Sequence, residues 1–575
     1  MPRRWIIPPP WPGCKDVSRR TGASALMAQL LYNRGLTEPS EIAGFLDPAL
    51  KTLHPPVLLG KTHAAAELIA SKIRDRRPIV IYGDYDVDGI AGTAILWHLL
   101  RLAGAQVSYY VPHRLEEGYG LNAEALRALR AQGADTVISV DCGITAIEEA
   151  RVAREIGLTL VITDHHCPGP ALPEADCLVH PCIEPAYPNP DLCGAGVAFK
   201  LAWAVAQTLS SSERVSREFR EFLISATALA AMGTIADVVP LLGENRVIAR
   251  HGLVGIKECK LLGVQALIAA AKLDSSKLES DHVGFWLAPR LNAAGRMGHA
   301  LQAVELLTTA DGPRAAEIAG FLEAQNRRRQ AVERDIFDQA CTMIEERKLA
   351  TDARRGIVLA REGWHAGVIG IVASRVVERY GRPTVLIALE NGMGQGSARS
   401  IRNFEMHTAL AECAGHLTAY GGHAMAGGLR IQRECVEPFT EAFVHRANQR
   451  LTAQDLEPVL RLDAEVSLAD LTEPVVRDLQ RLGPHGQGNP RPRFATGTVH
   501  LDGEPRLVGK TGDHLQFSVS DGRQRRKAIF FRGRDFLQPM LDCRRFRVAF
   551  EPILNEFNGR TSVELQVLDI RFASE

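Results

Sequence analysis

The chain has no surplus of either charge. Its 67 Lys+Arg balance its 67 Asp+Glu, so the global balance neither announces nor excludes a polyanionic partner. It also lacks any Cys-x-x-Cys pair. The eleven cysteines, an odd number, are scattered singly, which argues against a cysteine-rich zinc site or a disulfide framework and suits free thiols in a reducing cytoplasm. Long apolar runs are missing too. Met1-Pro-Arg-Arg-Trp-Ile-Ile-Pro-Pro-Pro10 breaks with prolines too soon for a signal-peptide core, and the uncharged stretch Phe222 to Ala236 falls short of a membrane span of roughly 20 residues. The expectation is a cytoplasmic protein with no membrane segment. A length of 575 residues and 46% hydrophobic content leave room for ordinary cores, in roughly three to four domains of about 150 residues each.

What is present is acid at strand ends. Asp84, Asp86 and Asp88 lie in Gly83-Asp-Tyr-Asp-Val-Asp-Gly89, directly after the apolar run Ile79-Val-Ile-Tyr82. Asp141 follows Thr136-Val-Ile-Ser-Val140, and Asp164-His165-His166 follows Leu158-Thr-Leu-Val-Ile-Thr163. Asp237, in Gly233-Thr-Ile-Ala-Asp-Val-Val-Pro240, follows a helical stretch. Carboxylates gathered with imidazole repel unless a cation lies between them. A calcium EF-hand begins with the same triplet but needs a glutamate six residues after its glycine, where this chain has Ile95; a strand also precedes the motif where a helix should be. Carboxylate and imidazole without thiolate suit Mn²⁺ or Mg²⁺. Two such ions about 3.5–4 Å apart acidify water and neutralise charge developing on phosphorus, which makes phosphoester hydrolysis the expected chemistry. Cys142, beside Asp141, reads as a small packing residue.

From about Pro78 to His180, Val/Ile-rich runs alternate with helical stretches, the pattern of a parallel sheet in an α/β domain, whose ligands bind beyond the carboxyl ends of the strands. A long connecting helix is expected over residues 311–350, with Arg327-Arg-Arg329 on or near its polar side. A second alternating block covers 351–450 and ends near Gly421-Gly-His-Ala-Met-Ala-Gly-Gly428. Beyond it, short β-type runs separated by turns predict a small barrel over 451–575. Residues 1–50 are set apart as an N-terminal segment, and 51–310 as the catalytic domain. Between Leu501 and Phe550 eleven Lys/Arg face six Asp/Glu, interleaved with Phe530, Phe531 and Phe546. That composition suits a single-strand binding groove, although a charge run is more often a solvated face.

Gly83-Asp-Tyr-Asp-Val-Asp-Gly89 with Asp141 and Asp164-His-His166 resembles the DHH phosphoesterase superfamily, and Gly421-Gly-His423 resembles its companion DHHA1 domain. Pro112-His-Arg-Leu-Glu-Glu-Gly-Tyr-Gly120, Ala288-Pro-Arg-Leu-Asn-Ala-Ala-Gly-Arg296 and Trp364-His-x-Gly-Val-Ile-Gly370 resemble the superfamily's single-stranded-DNA exonucleases. The resemblance implies an α/β fold: a parallel-sheet DHH domain and a smaller α/β DHHA1 domain joined by the long helix, plus an OB-like barrel. It implies Asp84, Asp86, Asp88, Asp141, His165 and Asp237 as ligands of two divalent cations, Mn²⁺ or Mg²⁺, with His166 beside them either supporting the ligands or contacting phosphate. It makes Arg114, Ser397, Arg399 and His423 candidates for holding substrate phosphate. Arg290 and Arg296, flanking Asn292, stand open between substrate and structural roles, and His365 between packing and substrate contact. The implied activity is metal-dependent hydrolysis of single-stranded DNA from the 5′ end to 5′ mononucleotides in repair and recombination. The expected protein is a monomer working beside a helicase and a single-strand-binding protein. Two rival readings are a phosphodiesterase for short oligonucleotides or cyclic dinucleotides, and an inactive DNA-binding scaffold.

Overall fold

The runs around residues 78–180 close into a five-stranded, all-parallel sheet in the computed structural model, which describes residues 3–113, 117–183, 187–296, 300–557 and 559–572. The strand order is Val107–Tyr110, Ile79–Gly83, Thr136–Val140, Thr159–Thr163, Cys177–Val179. Every residue of Ile79–Gly83 and Thr136–Val140 is buried, as in a parallel sheet covered on both faces. Register sets where the acids emerge. Gly83 lies opposite Val140, and Val140 opposite Thr163, so the next residues, Asp84, Asp141 and Asp164, leave one sheet edge side by side.

Three helices bring the rest of the site to that edge: Val87–Leu102, Gly194–Leu209 and Arg217–Ala236. The last takes in Arg217 to Glu221 and so reaches 20 residues, with an 18-residue window of mean hydropathy 1.2; by length and composition it passes for a membrane span. It is also 56% buried inside the protein, against neighbouring helices, and hands the chain to Asp237.

The chain forms two compact units. One joins residues 5–320 to the C-terminal part from Arg461. Its C-terminal strands form a closed ring: Arg545–Phe557 pairs with Val499–Leu501, which pairs with His514–Ser520, then Arg525–Phe530, then Arg560–Phe572, which pairs back to Arg545–Phe557. Five strands closed in this way make an OB-like barrel. Residues 1–50 are not a separate appendage. Helices Ala25–Asn33 and Pro39–Leu46 put Met27, Leu30, Leu31 and Phe45 into one core with Phe494, Phe517, Phe546 and Phe550 of the barrel region.

One buried side chain ties three segments of this unit. Arg246, 1% exposed, donates to the carbonyls of Phe45 (2.7 Å), Leu482 (3.0 Å) and Gly483 (2.8 Å). Its guanidinium also lies 3.8 Å from the centre of the Phe45 ring.

The second unit holds Phe321–Leu460. Most of the 35-residue helix Gly312–Glu346 belongs to it, and Ile336, Ala340 and Ile344 pack against Val368, Ile369 and Val372 of helix Ala366–Tyr380. The expectation for Arg329 fails: rather than lying on the polar side, it is buried, pairing with Glu333 at 2.8 Å and donating to Asn326 Oδ1 at 3.0 Å. A mixed sheet carries Met393–Arg399 between Thr384–Glu390 and Ala426–Gln432, with Ile357–Glu362 and Ala419–Gly422 at the edges.

Candidate metal centre

Asp84, Asp88 and Asp141 are almost fully buried, Asp86 and His165 partly so. The triplet is not a plain loop. The helix Val87–Leu102 starts inside it: Asp86 is the N-cap, accepting from the amides of Asp88 (2.9 Å) and Gly89 (3.2 Å) through Oδ1, and Asp88 lies in the first turn. Across from it, the amides of Gly194 (2.5 Å) and Ala195 (2.9 Å), at the N-terminus of helix Gly194–Leu209, donate to the Asp88 carboxylate. Two helix N-termini thus hold these acids in place.

Among the described residues, ligand atoms fall into three groups, each with its atoms within 4.8 Å of one another: Asp84, Asp86 and Asp141; Asp88, His165 and Asp237; Asp141, His165 and His166. Asp141 belongs to two of them. His165 Nε2 lies 3.1 Å from Asp141 Oδ1, 3.6 Å from Asp237 Oδ2 and 3.7 Å from Asp88 Oδ2. Asp141 Oδ1 and His165 Nε2 are both buried, and neither has a hydrogen-bond partner. Leaving such atoms unsatisfied costs about 1–3 kcal/mol each.

The protonation preferences agree. Burial and the charges of Asp88, Asp86 and Asp84 push Asp141 well above the ordinary carboxyl range. Burial, then Asp88 and Asp86, lift Asp237 to about 8. Burial raises Asp88 and lowers His165, which favours a neutral imidazole. Carboxylates that resist ionising together and a neutral ring aimed at them form a donor set that fits divalent cations. Asp141 adopts φ 65°, a left-handed conformation that an aspartate holds at a cost of roughly 1–3 kcal/mol.

Asp164 turns the other way. It accepts from the amides of Ile144 (2.9 Å), His165 (2.7 Å) and His166 (3.1 Å), and its Oδ1 meets His166 Nδ1 at 2.8 Å. Against the opposing effect of burial, this pair holds Asp164 below the ordinary carboxyl value and raises His166 to about 9. The hydrogen bond to Asp164 thus favours the charged form of His166 beside the carboxylate groups.

In the second unit, the register places Arg399 opposite Ala426 and Ser397 opposite Gly428, next to the hairpin turn that carries His423. Arg399 donates to Ser397 Oγ (3.1 Å) and to the Ala398 carbonyl (2.8 Å), and burial alone lowers its pKa. A side chain at Gly370 would come within 2.8 Å of Ser397 Oγ and 3.1 Å of Arg399 Nη2, so the first turns of helix Ala366–Tyr380 cover this pair. His365 caps that helix, accepting from the Gly367 amide at 3.1 Å. Exposed His423 donates its amide to the Ala426 carbonyl at 2.7 Å. Arg290, 9% exposed, donates to the Trp286 carbonyl at 2.6 Å. Arg114 lies outside the described residues.

Residues 78–227 match the DHH family N-terminal domain, 354–452 the DHHA1 domain and 462–569 the RecJ OB domain. The chain is 36% identical over 571 residues to the single-stranded-DNA-specific exonuclease RecJ of Bacillus subtilis, covering 98% of this chain and 70% of that protein. With the RecJ of Escherichia coli it shares 33% over 562 residues, 95% of each chain. The chain belongs to the RecJ family. Its fold superposes on the crystal structure of RecJ in complex with Mn²⁺ from Thermus thermophilus with a TM-score of 0.84 and 31% identity, covering 100% of this chain and 80% of that one. The Mg²⁺ complex of the same protein gives 0.78 and 28%, over 100% and 79%. Membership in the RecJ family makes the chain a metal-dependent exonuclease acting on single-stranded DNA, with Mn²⁺ or Mg²⁺ as its cofactor.

Several residues around the site carry no signal of their own in the sequence. Tyr119 OH reaches the Asp141 carbonyl and His166 Nδ1, each at 3.1 Å; it stands within the RecJ-like stretch Pro112 to Gly120, but no periodicity marks it. Asn292 Oδ1 accepts from the Val87 amide at 3.0 Å, so the segment Ala288–Arg296 steadies the triplet. Gly194 and Gly233 are required by space: a Cβ would lie 2.6 Å from Asp141 Oδ1 in one case and 2.4 Å from Asp88 Oδ1 in the other. Only the fold shows what those glycines face.

Proposed function

We propose that the chain degrades single-stranded DNA from its 5′ end toward its 3′ end, releasing 5′ mononucleotides, in repair and recombination. The observation that carries the chemistry is the pair Asp141 Oδ1 and His165 Nε2, buried, 3.1 Å apart and neither hydrogen-bonded. Asp84, Asp86, Asp88, Asp141, His165 and Asp237 are the proposed ligands, with Asp141 shared between two groups. Bound there, divalent cations acidify water and offset charge that develops on phosphorus. The chain's own residues supply the rest. Amides of Gly194 and Ala195 fix the Asp88 carboxylate, and Asp164 orients His166 for contact with a phosphate oxygen.

Ser397, Arg399 and His423 are proposed to hold the 5′ phosphate. A guanidinium buried beside a serine hydroxyl suits that role, since charge-assisted hydrogen bonds to phosphate would offset its desolvation. Arg114 and Arg290 complete the proposed substrate contacts. The barrel grips the strand through its basic cluster and Phe531, which is 52% exposed. The proposed setting is the cytoplasm, where the monomer works beside a helicase and a single-strand-binding protein. Incubation with Mn²⁺ and strands labelled at either end tests the polarity. The 5′ label leaves first as a mononucleotide; early loss of the 3′ label would overturn the reading.

A further inference from the structure

Phe285 and Trp286, consecutive in the chain, are 74% and 42% exposed on the surface of the metal-centre unit. They occupy a π turn, Val283–Leu287, between the short helical segment Ser280–His282 and Ala288–Arg296. Such turns are frequent at functional positions. The turn is firmly anchored. Val283 and Leu287 are wholly buried, the Trp286 carbonyl accepts from Arg290 at 2.6 Å, and the Trp286 ring packs 5.4 Å from that of His282. Its position is tied to the site from both ends. A Cβ on Gly284 would meet Ile235 Cγ2 at 3.7 Å, two residues before Asp237. At the other end, a Cβ on Gly295 would come within 2.4 Å of the Tyr85 carbonyl, and Asn292 accepts from Val87. One continuous segment thus touches the end of the helix that leads to Asp237 and, through Tyr85 and Val87, the stretch that carries Asp84, Asp86 and Asp88. Exposed Val238 (63%) and Tyr119 (52%) add apolar surface beside Asp237 and His166.

We infer that Phe285 and Trp286 form a stacking platform for unpaired bases of the strand as it enters the metal centre. An acidic cluster offers a polyanion no grip of its own. Aromatic faces on rigid backbone supply one, and they tolerate any sequence because every base has a π face. Continuity with the metal centre argues for nucleic acid as the occupant. The inference rests on the single-strand nuclease reading.

The test uses the full chain with Ca²⁺ replacing Mn²⁺ to slow cleavage, and measures affinity for a fluorescent single strand and for an abasic strand of equal length. Phe285→Ala and Trp286→Ala should each weaken binding to the base-bearing strand by about 5- to 150-fold while leaving the abasic strand within about twofold. Phe285→Tyr and Trp286→Phe should restore most of it, with melting temperatures unchanged throughout. Equal loss on both strands, or no loss on either, overturns the platform. If the wild-type chain binds neither strand, it is the nuclease reading that fails.

Discussion

Gly194→Ala adds one methyl group and should cripple turnover without unfolding the protein. The added Cβ would lie 2.6 Å from both Cβ and Oδ1 of Asp141 and 2.7 Å from its Cγ. Ordinary contact begins near 3.4 Å, so the carboxylate or the helix must move by about 0.8 Å. Asp141 has little freedom to move. It is buried on a sheet edge in a left-handed conformation, with its carboxylate shared between two ligand groups. If the helix yields instead, the Gly194 and Ala195 amides leave the Asp88 carboxylate. A misplacement near 1 Å costs on the order of 100-fold in rate, whereas overpacking by a methyl costs about 1–3 kcal/mol of stability. The assay is Mn²⁺-dependent release of nucleotides from a labelled single strand, run beside a thermal melt. A rate within threefold of wild type would refute the reasoning, because it would mean that the Asp141 carboxylate need not sit where it does.

Asp164→Asn should leave the fold intact and lower turnover by about 10- to 100-fold by releasing His166, as is usual for residues that orient groups at a metal site; kcat measured under saturating strand checks it. Arg246→Met should lower stability by at least about 3 kcal/mol, because it leaves several buried carbonyls without their donor; the urea midpoint should fall at constant m. His485 is held at about 4 by burial and by the charges of Arg491, Arg34 and Arg246. Its folded value lies below the ordinary one, so the unfolded chain takes up the extra proton between roughly pH 6.5 and 4. Wild type therefore loses up to about 3 kcal/mol of stability at this site as the pH drops from 6.5 to 4; over that range the melting temperature of His485→Gln should fall less than that of wild type.

The sheet was legible because a buried parallel strand writes itself as an unbroken run of Val and Ile, and because acid directly after such a run has one place to go. Ile79–Gly83, Thr136–Val140 and Thr159–Thr163 delivered Asp84, Asp141 and Asp164 to one edge. What each acid does there was less legible. Asp164 has the same position as Asp141, yet the amides of Ile144, His165 and His166 and the His166 ring claim its oxygens. Such a division of roles depends on hydrogen-bond geometry that spacing does not encode. The first fifty residues read as a separate segment because their partner, the barrel, lies more than four hundred residues away in sequence. Met27 and Phe45 meet Phe494 and Phe550 only after the chain has folded. Arg329 misled for a similar reason: a run of three arginines reads as solvated, but Glu333 and Asn326 on the same helix let one of them be buried.

Titration of Mn²⁺ into the wild-type chain and into Asp141→Asn, measured by calorimetry, addresses the metal centre most directly. Because the Asp141 carboxylate serves two ligand groups, the substitution should abolish tight uptake, and with it hydrolysis of single-stranded DNA, while the melting temperature without metal stays level or rises as the crowding of carboxylates is relieved. Unchanged Mn²⁺ binding by Asp141→Asn, with full nuclease activity, would contradict a metal centre built around Asp141.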